Sequence, residues 1–229
     1  MKAVVLAGGK GMRMRPLTNE IPKPLLLVKN RPILEHTLNY LSKYGIKEVI
    51  ITLGYKGEVI KKKIGDGSRF GLNITYSMEK DEMGTAGCLL SIKKDLNETF
   101  VLIGGDNITK MDLNKFIKFH KKNGGTLTVA LYTKTEKTKF GIYELGKDKS
   151  IKIFREKPII KKTIGTMIFC MEPEIFNYIP GNKKPVNITD HVIPKMLSKN
   201  KKIFGFEFDD MWMDIGTFDD YNKINRMKI

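Results

Sequence analysis

Residues 2–26 read KAVVLAGGKGMRMRPLTNEIPKPLL. KAVVLA (2–7) is a short apolar run, which predicts a strand buried on both faces, as in a parallel sheet. Glycines 8, 9 and 11 follow at once, then the cations Lys10, Arg13, Arg15 and Lys23, punctuated by prolines 16, 22 and 24. Glycines let consecutive backbone N–H groups converge on an anion without Cβ clashes. In doubly wound sheets, ligands gather beyond the carboxyl ends of the parallel strands. The loop is not a G-x-G-x-x-G fingerprint, and Lys10 is followed by Gly11 rather than the Ser or Thr of a Walker A loop. Taken alone it reads equally well as an anion cradle or as a tight turn with surface cations.

Working outward, Pro32 opens an apolar-periodic segment (Ile33, Leu34, Leu38, Leu41) closed by Gly45, which predicts a helix. EVIITL (48–53), LNITYS (72–77), TFVLIGG (99–105) and TLTVALYT (126–133) predict strands, with helices over 57–64, 85–94 and 112–122. Strand–helix alternation with continuous apolar strands predicts an α/β fold, a Rossmann-like doubly wound sheet covered on both faces. The second half changes character. FGIYEL, SIKIFRE and TIGTMIFC read as strands with little helix between them. Helices near 173–179 and 188–199, the strand KIFGFEF and a last helix over 217–227 follow, so this half predicts an antiparallel or mixed extension of the same sheet.

Composition narrows the function. The chain has 229 residues, 41% of them hydrophobic, and a net charge of +16 from 41 Lys and Arg against 25 Asp and Glu. The cations are dispersed, without the aromatic-interleaved or helix-turn-helix patterns of nucleic-acid binders, which disfavours a nucleic-acid partner, and a polyanionic small substrate fits the charge equally well. No apolar run approaches the length of a membrane span and no secretory leader is evident, so the expected location is the cytoplasm. Cys88 and Cys170 lie in apolar contexts and read as buried free thiols. His36, His120 and His191 are too far apart for a zinc site.

Four more motifs follow the opening loop in order: YSMEKDEMGTAG (76–87), GGD (104–106), FREKP (154–158) and WMDIGTFDDY (212–221). With LAGGKGMRMRPLT and PKP, they resemble the sugar-1-phosphate nucleotidyltransferases (NDP-sugar pyrophosphorylases) over almost the whole chain. The mannose-1-phosphate guanylyltransferase-like and glucose-1-phosphate thymidylyltransferase-like branches look nearest. Departures from the family pattern are Met14 and Met83 in place of Leu, Glu82 in place of Pro, and Gly165-Thr166-Met167 where N-x-G is common.

The resemblance implies a GT-A-like nucleotidyltransferase fold in one domain over 1–229. A nucleotide-binding half would occupy 1–110 and a sugar-phosphate half 111–229, with no C-terminal β-helix domain. It implies attack by a sugar 1-phosphate on the α-phosphate of a nucleoside triphosphate, with Mg²⁺ held by Asp106 and Asp214. Arg13, Lys23, Asp106 and Lys157 would be catalytic. Leu6, Ala7, Gly8, Gly9, Gly11, Met12, Glu79, Gly84 and Thr85 would bind the nucleotide, and Gly141, Glu156, Lys157 and Thr166 the sugar phosphate. Relatives that take thymidine or uridine nucleotides often carry Gln where this chain has Glu79. A carboxylate only accepts hydrogen bonds, so it suits the two adjacent donors of guanine and favours GTP, with mannose 1-phosphate as the favoured sugar. Transfer of UTP or dTTP to glucose 1-phosphate, of CTP to an alcohol phosphate, and a non-catalytic nucleotide sensor stay open. Neither a nucleic acid nor a membrane is expected as a partner, and a homo-oligomer stays open.

Overall fold

The computed structural model describes residues 1–181 and 185–227. Its elements in chain order are β1 (Lys2–Ala7), β2 (Leu27–Val28), β3 (Arg31–Pro32), α1 (Ile33–Lys43), β4 (Glu48–Leu53), α2 (Gly57–Ile64) and β5 (Asn73–Met78). Then come α3 (Gly84–Gly87), β6 (Phe100–Gly104), β7 (Asn107–Thr109), α4 (Leu113–Asn123), β8 (Leu127–Lys137), β9 (Ile142–Leu145) and β10 (Ile151–Arg155). The last are β11 (Ile159–Met171), α5 (Ile193–Ser198), β12 (Ile203–Phe208), β13 (Trp212–Asp214) and α6 (Phe218–Arg226).

The expected mixed sheet is present, with seven strands in the order β12-β8-β11-β6-β1-β4-β5. β1 pairs in parallel with both β4 and β6, and β4 with β5. β11 runs antiparallel to β6 and β8, and β12 parallel to β8. The chain steps from β1 outward to β4 and β5, then returns to the other side of β1 as β6. The carboxyl ends of β1 and β6 therefore meet at a topological switch point, where open α/β sheets form a ligand crevice.

Both sheet faces are covered. Leu34, Leu38 and Leu41 of α1, Ile60 and Ile64 of α2, and Phe116 of α4 pack with Val5, Ile51 and Ile103 on one face. Leu89, Ile92, Phe176 and Val192 pack with Val4, Phe100 and Phe169 on the other. A third cluster, with Met14, Ile33, Ile108, Met213, Ile215 and Ile224, lies beneath the opening loop. No helix among the described residues is long and apolar enough to cross a membrane.

Four expectations change. The helix expected over 85–94 is one α-turn followed by a 3-10 stretch, Cys88–Asp95. Glycines bound that turn and no side chain caps it. Residues 173–178 are also 3-10. The segment over 188–199 is a π-turn, Ile188–Val192, that tightens into α5 at Pro194, whose missing N–H cannot serve a regular ladder. FGIYEL and SIKIFRE do not extend the main sheet. They form a separate hairpin, β9–β10, whose residues are almost all exposed.

Candidate active site

The glycine loop leaves β1 at the switch point. Gly54, which follows β4, packs so closely on it that a Cβ there would lie 2.7 Å from the Gly8 carbonyl. Tyr55 N–H donates to that same carbonyl at 3.2 Å. Gly11 has φ 62°, a left-handed conformation that glycine adopts at little cost. The Thr18 hydroxyl donates back to the Gly11 carbonyl at 2.9 Å and closes the loop on itself. Met14, fully buried, anchors the short turn Met12–Met14 into the third apolar cluster. The Arg13 guanidinium rests against Gly216, where an added Cβ would come within 3.2 Å of it.

Lys23 stands between Pro22 and Pro24 on a 3-10 turn, and its ammonium pairs with the Asp106 carboxylate. Asp106 follows β6. Its Oδ1 accepts from the Asn107 amide at 2.9 Å, and its backbone carbonyl accepts from Ile215 N–H at 3.1 Å. Trp212 Nε1–H in turn donates to Asn107 Oδ1 at 2.8 Å. β13 pairs antiparallel with β7 so that Asp214 lies opposite Asn107, which brings the two distant aspartates together. Burial, then the facing Asp106, pushes the Asp214 carboxyl up to about 6, against the pull of Lys23 and Arg13. Asp214 Oδ1 is buried and has no hydrogen-bond partner among the described residues.

Two facing carboxylates with an orphaned oxygen at a crevice form a donor set that suits a hard divalent cation sharing its shell with phosphate oxygens. Among the described residues no group of three or more His, Cys, Asp or Glu converges, so a cation here would need ligands from substrate or water.

A cleft of about 330 Å³ runs from Glu79, Gly84 and Thr85, past Leu6, Gly8 and Gly9, to Arg13, Asp106 and Asp214. A smaller recess of about 70 Å³, lined by Ala7, Gly11 and Lys23, adjoins it at Asp106. Glu79 Oε2 accepts from Met83 N–H at 3.2 Å, while Oε1 lies beside Gly8, 3.0 Å from where a Cβ would be. Burial raises the Glu79 carboxyl above its ordinary value, and the Met83 N–H opposes the shift. Gly84, at φ 77°, presses on the Val186 carbonyl. Thr85 is committed to the fold as well, since its hydroxyl accepts from Ile188 N–H at 2.9 Å.

The remaining expected site residues stand elsewhere. Thr166 is buried, lines neither cleft, and spends its hydroxyl on the Ala130 carbonyl at 2.8 Å. The break in register between β11 and β8 after Gly165 leaves Met167 to line the cleft instead. Gly141, Glu156 and Lys157 sit at the root of the β9–β10 hairpin and line neither cleft. Glu156 and Lys157 are exposed and pair with each other at 3.6 Å. Gly141 lies under the Phe154 ring, 2.7 Å from a hypothetical Cβ. Met12 is exposed and lines neither cleft.

The structure adds Thr52, Glu82, Cys88 and Asn187 to the cleft wall. Asn187 Oδ1 accepts from Thr85 N–H at 3.3 Å, and its amide donates to Asp190 at 2.9 Å. In the sequence it reads as an ordinary cap before a helix. Cys88 is buried, and burial pushes its thiol up to about 12, which leaves it a poor nucleophile.

The model of a family described as nucleotidyl transferase matches residues 2–228. A UTP–glucose-1-phosphate uridylyltransferase of Synechocystis is 30% identical over 239 residues, covering 96% of this chain and 61% of the relative. Mannose-1-phosphate guanyltransferase 2 of Candida glabrata is 32% identical, covering 96% and 63%. The chain thus spans about three fifths of the length of these curated relatives. A solved chain from Bacillus anthracis in complex with sucrose, provisionally assigned as a glucose-1-phosphate thymidylyltransferase, superposes with a TM-score of 0.79 at 26% identity. That match covers 100% of this chain and 97% of the other.

Proposed function

This chain belongs to the nucleotidyl transferase family, and on that premise we propose that it joins a nucleoside triphosphate to a sugar 1-phosphate, giving an NDP-sugar and pyrophosphate. One observation carries the reading. Arg13, Lys23, Asp106 and Asp214 converge at the switch point, at one end of a cleft whose other end holds Glu79.

In the proposed reaction an oxygen of the sugar 1-phosphate forms the new bond to the α-phosphorus, and the bond from that phosphorus to the bridging oxygen of pyrophosphate breaks. The nucleophile is an anion at neutral pH, so no general base is required. The chain's task is to hold two polyanions in line and to stabilise charge moving onto the leaving group. Arg13, with a planar fork suited to phosphate oxygens, meets the departing pyrophosphate. Lys23 exchanges Asp106 for the α-phosphate as substrate enters. Asp106 and Asp214 would hold Mg²⁺, which when bound screens the phosphates and takes up developing charge. Glu156 and Lys157 reach the sugar phosphate only if the β9–β10 hairpin moves toward the cleft on binding.

Glu79 favours GTP. Its carboxylate can accept from guanine N1–H and the 2-amino group, whereas the carbonyl oxygens of uracil or thymine would repel it. A guanyltransferase among the relatives supports the same base, and mannose 1-phosphate is the proposed acceptor. The two buried thiols suit a reducing compartment, and the cytoplasm is the proposed location.

The test is a pyrophosphate-release screen of five nucleoside triphosphates against a panel of sugar 1-phosphates with Mg²⁺. GTP with mannose 1-phosphate is expected to turn over fastest. Turnover of UTP or dTTP about tenfold faster than GTP would refute the base assignment. No release with any pair would refute the reaction.

A further inference from the structure

We propose that Lys56 is a positioning residue that straps down the loop carrying Arg13, an inference that rests on the nucleotidyl transfer reading for its kinetic consequence only. The loop between Gly8 and Lys23 presents Arg13 to the cleft and ends in an exposed turn at Asn19 and Glu20. Lys56 sits at the start of α2, and its ammonium donates to the Asn19 carbonyl at 2.7 Å and to the Glu20 carbonyl at 2.6 Å. Tyr55 adds a longer contact from its hydroxyl to the Asn19 carbonyl at 3.4 Å, and its ring lies 5.5 Å from the Lys56 ammonium.

Two residues of the tripeptide Gly54-Tyr55-Lys56 hold the other end of the loop. Gly54 and Tyr55 lock the Gly8 carbonyl, as described above. One tripeptide after β4 thus clamps the loop both where it leaves the sheet and at its far turn.

Like Lys29, Lys149 and Lys157, Lys56 has a positive φ. Its φ and ψ are 53° and 32°, a left-handed conformation that a lysine adopts at a cost and a glycine adopts freely. A purely architectural helix start would be served better by glycine or asparagine. At Lys56 the side chain does what glycine could not, reaching the two loop carbonyls. A cation is suited to the job because the turn offers it two carbonyl oxygens, and charge-assisted hydrogen bonds are the strong ones. Arg13 lies within the strapped segment, so loosening the strap spreads the guanidinium over positions that miss the leaving phosphates.

Three variants separate this role from a structural one. Lys56→Met keeps the length and the strained backbone but removes the charge. Lys56→Gly removes the charge and relieves the strain. Lys56→Arg keeps the charge. Amide hydrogen exchange over residues 12–21 is expected to quicken about tenfold in the Met and Gly variants, and to stay near wild type in the Arg variant. This readout needs no substrate, so it judges the strap even if the enzyme reading fails. Where the wild type turns over, kcat/KM should fall about tenfold in the Met and Gly variants, mainly through kcat, with Arg restoring most of it. The thermal midpoint of Lys56→Gly should equal or exceed that of Lys56→Met, so that activity and stability part company. Unchanged exchange over 12–21 in both charge-removing variants overturns the proposal. So does wild-type kcat/KM in Lys56→Gly, or a loss of activity across the three that simply follows the thermal midpoint.

Discussion

Replacing Glu79 by Gln changes one atom at the proposed base end of the cleft and should invert the proposed choice of base. In the present geometry Oε2 is engaged by Met83 N–H and Oε1 faces the glycine loop beside Gly8. A Gln in the same rotamer keeps its carbonyl oxygen on Met83 N–H and turns its amide NH₂ toward the ligand. A donor then meets the N1–H and amino donors of guanine, and the same donor meets a carbonyl of uracil or thymine. A hydrogen bond to a charged group contributes about 1.5–3 kcal/mol. Since Met83 already occupies one oxygen, about 2 kcal/mol is the reasonable share, roughly a 30-fold loss in kcat/KM for GTP. UTP should gain in the same variant.

Stability should not confuse the result. Burial raises the Glu79 pKa, so its stabilising contribution is present below its unfolded value and lost as pH rises through the folded one. At neutral pH the neutral Gln therefore removes a penalty, and the thermal midpoint should hold or rise. The assay is initial-rate pyrophosphate release with GTP and UTP on both proteins, beside a melting curve. A GTP kcat/KM within twofold of wild type in a folded Glu79→Gln protein would refute the reasoning.

Other outcomes follow from neighbouring parts of the structure. Arg13→Lys keeps the charge but loses the planar fork that Gly216 makes room for, so kcat should drop about 100-fold while substrate KM changes little, read by steady-state kinetics. Gly84→Ala forces an L side chain into φ 77° and brings a Cβ to 2.7 Å from the Val186 carbonyl. It should cost about 2–3 kcal/mol and lower the thermal midpoint by roughly 4–10 °C in calorimetry. His120 is buried between Thr128, at 2.7 Å, and Glu172, at 3.1 Å. Burial lowers its pKa despite Glu172, so the unfolded state takes up the proton first. Stability should be full above its ordinary value of 6.5 and decline as pH falls below it, and His120→Gln should flatten that slope in melts between pH 7.5 and 5.5.

Much of the frame was legible in the sequence because its signals are local. KAVVLA and EVIITL are strands at the bounds their apolar runs predict, Lys2–Ala7 and Glu48–Leu53. Both are buried from two sides, so no alternation blurs them. The α1 helix lies between the Pro and Gly that bracket it. Helices went wrong where local periodicity competed with backbone supply. Residues 85–94 have apolar spacing but glycines at both ends of the first turn, and 188–199 carries Pro194 in its interior. The β9 and β10 runs read as strands, yet a strand-like run cannot say which sheet it joins, and among the described residues these pair only with each other.

The chain's own order of residues determined that β1 ends in glycines, that cations follow, and that Lys23 stands between prolines, since each of these is a demand on a few consecutive backbone units. The tertiary structure decided which residues meet. β13 folding onto β7 places Asp214 against Asp106, burial orphans one of its oxygens, and the turn after β4 brings the Gly8 carbonyl under the grip of Gly54 and Tyr55. It also turned the Thr166 hydroxyl onto the Ala130 carbonyl and set Asn187 in the cleft wall. Such meetings depend on crossovers and register over most of the chain, and a side chain's partner across the sheet leaves no mark in its own neighbourhood of sequence.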